Sequence, residues 1–267
     1  MRGLPRIDTT LLDGFSPDDA RAFVSFDPHA ADRLYAWIDR ASRLLRVEVH
    51  GLEHIPQRGA LLVGNHTFGW DAVFVMAAMW RAQRRPIWVL GEHLWWRMPF
   101  LRSLAASVGT VDGTHENAEK LLHAGELVLV LPGGMREAMK PRELRYQLLW
   151  GKRYGFVRLA ARTGVPVVPV ASVGTDDLFD FVGNAYERGE RWLGRRSIPI
   201  PLPSWVLPIP RRAQLRFIVG EPIAHGVAPG DADDEQALRR ARREIAGALH
   251  ELIEIELARR AGIDLGG

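Results

Sequence analysis

The sequence predicts an α/β fold: a mixed, largely parallel central sheet flanked by helices. Three observations predict it. Short apolar runs recur at Ala60–Val63, Pro86–Leu90, Glu126–Leu131 and Val165–Ala171, each about the length of a buried strand. Stretches of helical periodicity separate them, the alternation that builds parallel sheets. A polar turn, Gly64–Asp71, joins the first run to an almost wholly apolar segment, and open α/β sheets bind ligands at such strand-to-helix turns.

The 267 residues read as one domain. Residues 1–46 form an arm and an amphipathic helix, 47–225 the core, and 226–267 a C-terminal covering helix. An apolar content of 47% is ample for a core. Net charge is +3, the sequence pI is about 9.6, and all of the 35 basic residues except Lys120, Lys140 and Lys152 are arginine. There is no cysteine, which excludes disulfides, thiolate metal sites and a Cys nucleophile. The start lacks a signal-peptide pattern, and no apolar run approaches the ~20 residues of a spanning helix. The expected protein is therefore soluble or peripheral, on the cytoplasmic side of a membrane. The arginines are scattered among acidic residues without a recognition motif, which makes nucleic acid a poor candidate, and none is expected as a partner.

Met1–Pro28 is polar and turn-rich and reads as an arm. From His29 to Arg46, Leu34, Trp37, Ile38, Ala41, Leu44 and Leu45 form a helical stripe opposite Asp32, Arg33, Asp39, Arg40 and Arg43. That stripe packs on the sheet or lies in a membrane surface. Val47–Gly51 alternates like a strand. Asp71–Trp80 is apolar nearly all round, a buried helix. Trp95, Trp96, Leu94, Met98 and Phe100 follow the Pro86–Leu90 strand; with Trp70 they suit an acyl-chain tunnel or a bilayer contact. Val108–Gly113 is a strand entering a turn, and Glu116–His123 a helix. Phe156–Thr163 is another helix. The two prolines of Val165–Ala171 suit a strand start and an edge or bulge better than a fully laddered interior. Arg191–Arg212 brackets a proline-rich apolar span with arginines, a loop packed on the domain or resting on an anionic bilayer. Leu215–Ile223 is a last strand and turn. The helix beyond Asp234 starts acidic and ends at Arg259–Arg260, which suits its dipole.

The Gly64–Asp71 turn holds the residue types of acid–base chemistry. An imidazole titrates near neutrality, and a carboxylate can fix one ring nitrogen while the other faces a substrate. His66 and Asp71 meet only if His66 lies in the turn and Asp71 in the first helical turn, since five helical residues rotate by roughly 500°. Helix capping by Asp71 and a structural role for His66 are the simpler readings.

Asn65-His66-(four residues)-Asp71 resembles the first block of the glycerolipid acyltransferase family. Later blocks resemble that family in order and spacing over Leu52–Ile223. The second block commonly ends in an Arg where this chain has Gly113. The third is usually Pro-Glu-Gly-Thr-Arg; here Pro132, Gly134 and Arg136 are kept, and Gly133 and Met135 differ. Pro-Gly-Gly-x-Arg-Glu-Ala, with the Tyr146–Phe156 run, is similar to the diacylglycerol-acyltransferase-like branch.

The resemblance implies transfer of a fatty acyl group from acyl-CoA or acyl carrier protein to a lipid hydroxyl, with no cofactor and no metal. His66 would be the general base and Asp71 its orienter. Backbone N–H groups of Gly133 and Gly134 would stabilise an oxyanion. Arg136 would hold a phosphate, and Glu137 would bind an acceptor hydroxyl or pin Arg136. The absent Arg at 113 favours a neutral acceptor. Three alternatives stand beside it: a lysophosphatidate or glycerol-3-phosphate acyltransferase, an acyl-CoA hydrolase, and a non-catalytic membrane lipid-binding protein of the same fold. A Ser hydrolase is disfavoured, since no G-x-S-x-G elbow occurs.

Overall fold

Seven strands form one sheet in the order β1-β7-β6-β2-β5-β3-β4 in the computed structural model, which describes residues 26–67, 70–91, 108–178 and 213–263. The strands are β1 (Glu48–His50), β2 (Ala60–Gly64), β3 (Ile87–Gly91), β4 (Thr110–Asp112), β5 (Leu127–Val130), β6 (Val167–Val173) and β7 (Arg216–Val219). The helices are α1 (Pro28–Leu44), α2 (Trp70–Gln83), α3 (His115–His123), α4 (Gly134–Ala138), α5 (Gly155–Thr163) and α6 (Glu235–Arg260). The β6–β7 pairing is antiparallel and the other pairings are parallel, as the apolar runs predicted.

Chain direction fixes the layers. The β2-to-β3 crossover and the β4-to-β5 crossover run opposite ways along the sheet. Right-handed connections therefore put α2 on one face and α3 on the other. From β5 to β6 the chain moves the same way as from β4 to β5, so α5 joins α3, and the two helices touch. α6 packs on β6 and α5, and α1 packs on α2. Both faces are thus covered, and β2, β5 and β6 are buried almost throughout.

Two expectations are corrected. β6 is an interior strand, paired on both sides, although Pro169 offers no N–H to the ladder. Pro166 does stand just before the strand start, and the register shifts by one residue between Val170↔Val219 and Val167↔Ile223, with the extra residue on the Val219–Ile223 side. Trp37 is not part of the buried stripe of α1. Ala31, Tyr35 and Ile38 face the core, while Trp37 is 66% exposed. It lies among His29, Arg33, Arg40 and Arg43, which are also exposed. The acids of this helix pair with α2 at the surface, Asp32 with Arg84 and the Trp80 indole, Asp39 with Arg81.

No described helix is long and apolar enough to cross a membrane. Trp95, Trp96, Phe100, the Arg191–Arg212 span and most of the N-terminal arm lie outside the described residues.

Candidate functional site

The polar turn sits at the carboxyl end of β2, in the middle of the sheet. β2 ends at Gly64, and α2 begins at Trp70, so His66 is in the connection and Asp71 in the first helical turn. That is the placement the spacing demands if the two are to work together. The Trp70 and Asp71 side chains lie outside the described part.

A buried polar frame grips the turn. The Asn65 amide donates to the Ser172 carbonyl at 2.9 Å and accepts from the Ser172 N–H at 2.8 Å, continuing the β2–β6 pairing with a side chain. Thr67 Oγ1 donates to Asp176 Oδ1 at 2.6 Å. Lys140 Nζ lies 2.9 Å from the same oxygen, with both side chains essentially out of water (2% and 3% exposed). Asp176 Oδ2 accepts the Tyr146 N–H at 2.7 Å. Tyr146 holds a left-handed φ of 61°, a conformation that a bulky residue keeps only when tied down. Its hydroxyl donates to Asp177 at 2.5 Å, and burial raises the phenol's pKa.

The main chain of His66 is held from the β5 side. Its N–H donates to Glu137 Oε1 at 2.8 Å, and its carbonyl accepts from Lys140 Nζ at 3.4 Å. Glu137 is completely buried, and its other oxygen takes the Leu149 N–H at 2.6 Å. Burial pushes the Glu137 carboxyl above its ordinary value, against the pull of Lys140 and the two N–H donors. Glu137 therefore neither pins Arg136 nor reaches out for an acceptor hydroxyl. It splices the third block to the first, and Arg136 stays exposed, without an ion-pair partner among the described residues.

Gly133 makes room for this splice. A Cβ at 133 would overlap the Glu137 carboxylate. Gly134, at φ 52°, turns the chain into α4, and its N–H donates to the Leu131 carbonyl at 3.0 Å. That donor is committed to the turn, so the oxyanion expectation narrows to Gly133, whose N–H has no backbone partner among the described residues. At the second block a Cβ on Gly113 would lie 2.7 Å from the Gly91 carbonyl oxygen, so this backbone leaves no space for a side chain there.

Sequence reading missed Lys140, Thr67, Tyr146 and Asp176. One signal was available: Lys140 is one of three lysines in an arginine-rich chain.

The raised Glu137 value gives a pH signature. Its contribution to stability is present below the ordinary carboxylate value of 4.5 and is lost as pH rises through the raised folded value. In Glu137→Gln that slope should vanish. One of the two N–H bonds is lost as well, lowering stability by about 1–3 kcal/mol. Urea denaturation of both proteins at stepped pH upward from 4.5 reads both effects; parallel pH curves would reject the buried-carboxyl assignment.

Two cavities bear on the site's location. A large one of about 1140 Å³ lies at the β1 edge among Arg43, Arg46, Arg81, Asp39 and Glu48, away from the turn. A second, of about 560 Å³, opens at the carboxyl ends of β3 and β5 and touches Pro132. Position decides for the second, since it adjoins the same Pro132–Glu137 turn that holds His66.

An acyltransferase family model matches residues 46–173, from just before β1 to the end of β6. An uncharacterised Mycobacterium tuberculosis protein is 29% identical over 255 residues, 90% of this chain and 70% of its own length. A Bos taurus protein, named DGAT1/2-independent enzyme synthesizing storage lipids, is 29% identical over 221 residues. The match spans 79% of this chain and 64% of that protein. The solved 1-acyl-sn-glycerophosphate (LPA) acyltransferase PlsC from Thermotoga maritima superposes with a TM-score of 0.52 at 19% identity, over 91% of this chain and 85% of that one. At that identity the likeness is one of fold.

Proposed function

We propose that the chain is a glycerolipid acyltransferase, on the side of that family's diacylglycerol-acyltransferase-like branch, and that it moves a fatty acyl group from a thioester, acyl-CoA or acyl carrier protein, to the hydroxyl of a neutral lipid. The observation that supports this best is the splice of His66 to the Pro132–Glu137 turn through Glu137. Two blocks 71 residues apart meet at the carboxyl ends of neighbouring strands, beside a cavity.

In the proposed reaction His66 takes the acceptor's hydroxyl proton as that oxygen attacks the thioester carbonyl. Asp71 orients the imidazole. The Gly133 N–H faces the oxyanion. On collapse the C–S bond breaks, and the thiolate leaves with the proton that His66 returns. No enzyme-bound acyl intermediate is needed. The Gly91 carbonyl beside Gly113 supports the neutral acceptor, because the position where the family places a cation is closed to any side chain.

The outer face of α1, with Trp37 set among arginines, suits a peripheral membrane contact. An arginine near an anionic bilayer contributes about 1 kcal/mol.

One assay tests both. Labelled acyl-CoA is offered with monoacylglycerol, diacylglycerol, a long-chain alcohol, lysophosphatidate or glycerol 3-phosphate, the lipids presented in anionic or neutral vesicles. Neutral acceptors should be acylated, and faster on anionic vesicles. Turnover confined to phosphorylated acceptors would overturn the neutral reading, and turnover blind to vesicle charge would remove the α1 contact.

A further inference from the structure

The cavity beside Pro132 has a one-sided electrostatic lining. Lys152, Arg153, Arg158 and His115 line it, and no carboxylate does among the described residues. Arg158 is neutralised from outside by Asp233, 2.9 Å away. Arg153 donates to the Pro132 carbonyl at 2.6 Å, an uncharged partner that leaves its charge unbalanced. Lys152 is exposed and has no ion-pair partner among the described residues. The side chains are brought together by a glycine. A Cβ at Gly155 would lie 2.8 Å from the His115 ring, so only glycine lets that ring close over the start of α5. The lining also holds apolar side chains, Leu90, Val130, Leu131 and Phe156 among them.

A cavity lined by uncompensated cations together with hydrocarbon suits an amphiphile or a nucleotide with an anionic group. We propose that Lys152 and Arg153, with His115 beside them, form a phosphate-binding subsite that takes the place of the cation missing at 113. The replacement is geometrically consistent, since Gly113 itself lines this cavity, and the Gly91 carbonyl stands where its side chain would begin. Arg153 also lies against Gly134, 3.1 Å from the position its Cβ would take, so a phosphate drawn to this guanidinium meets the turn that carries Gly133.

Two sources of the phosphate follow, and this step rests on the acyl-transfer reading. One is the thioester donor, whose carrier holds phosphates. The other is a phosphorylated acceptor. With a neutral acceptor, the donor is the source.

Calorimetric titration of the full chain separates them. The probes are 3′-phosphoadenosine 5′-phosphate for the donor, sn-glycerol 3-phosphate for the acceptor, and inorganic phosphate. The first should bind, more weakly as salt rises. Lys152→Ala should weaken it about tenfold or more, and Lys152→Glu further. Arg240→Ala, which removes an exposed charge from α6, should bind as wild type does. Binding of sn-glycerol 3-phosphate, lost in Lys152→Ala, would keep the subsite and assign it to the acceptor. No binding of any probe, or equal loss in Lys152→Ala and Arg240→Ala, would overturn the subsite. The titration is independent of turnover: a protein that binds the nucleotide but acylates nothing retains the subsite and loses the transfer reading, and the converse result does the opposite.

Discussion

His66→Ala is expected to lower acyl transfer by about 10²–10⁴-fold, while the purified variant melts close to wild type. The rate loss follows from removing the only proposed acceptor of the hydroxyl proton. The preserved fold follows from how the turn is held. Glu137 and Lys140 grip the N–H and the carbonyl of residue 66, groups that alanine keeps. Asn65 and Thr67 tie down the residues on either side. Labelled acyl-CoA turnover and a thermal melt on the same preparation check both halves. Turnover near wild type would remove His66 from the chemistry, and a collapsed melt would mean that the ring is structural. Asp71→Asn should move in the same direction, with kcat falling more than stability. A lower melting point at unchanged specific activity would return Asp71 to helix capping.

The strands were legible because the sheet is parallel and covered on both faces. Leu127–Val130 and Ala60–Gly64 are continuous apolar runs for that reason, and nothing but burial on two sides explains them. Their order was not legible. It depends on which way each crossover turns, and no residue of β5 says that it will insert between β2 and β3. Trp37 shows the limit of periodicity: a spacing identifies a stripe but not its width, and Trp37 sits beyond the edge that α2 covers. The polar frame was hidden for another reason. Lys140 and Asp176 are far apart in sequence, and neither has a local pattern. What joins them is the arrival of β6 beside β2, a property of topology.

The third block shows how a local substitution can be read only in three dimensions. On sequence, the glycine at 133 looks like the loss of a carboxylate from Pro-Glu-Gly-Thr-Arg. In the fold, the space a side chain at 133 would enter is filled by the carboxylate of Glu137, one helical turn on. The acid is present, delivered from the other end of α4. This is why the altered block is weak grounds for a non-catalytic reading. Glu137 also links the two sides of the Pro132–Glu137 turn: its carboxylate holds His66, while Arg153 holds the Pro132 carbonyl from the cavity side. A ligand that displaces Arg153 from Pro132 bears on the same short segment that holds the His66 turn.

The largest loss of stability is expected from Lys140→Met. Methionine matches the length of the lysine stem and fills its apolar path, so the change isolates the ammonium. Asp176 would keep Thr67 and Tyr146 as donors but lose its counter-charge in a place with almost no water. Breaking one side of such a buried pair costs about 3–5 kcal/mol, because the remaining charge is left without compensation. For a chain of this size that lowers the melting temperature by roughly 10 °C. The decisive comparison is Lys140→Met with Asp176→Asn. If the two groups stabilise each other, the double variant loses less than the two single losses added together, because no uncompensated charge remains. Strict additivity in urea denaturation would mean that the 2.9 Å pair contributes nothing, and that the turn at His66 is held by neutral hydrogen bonds alone.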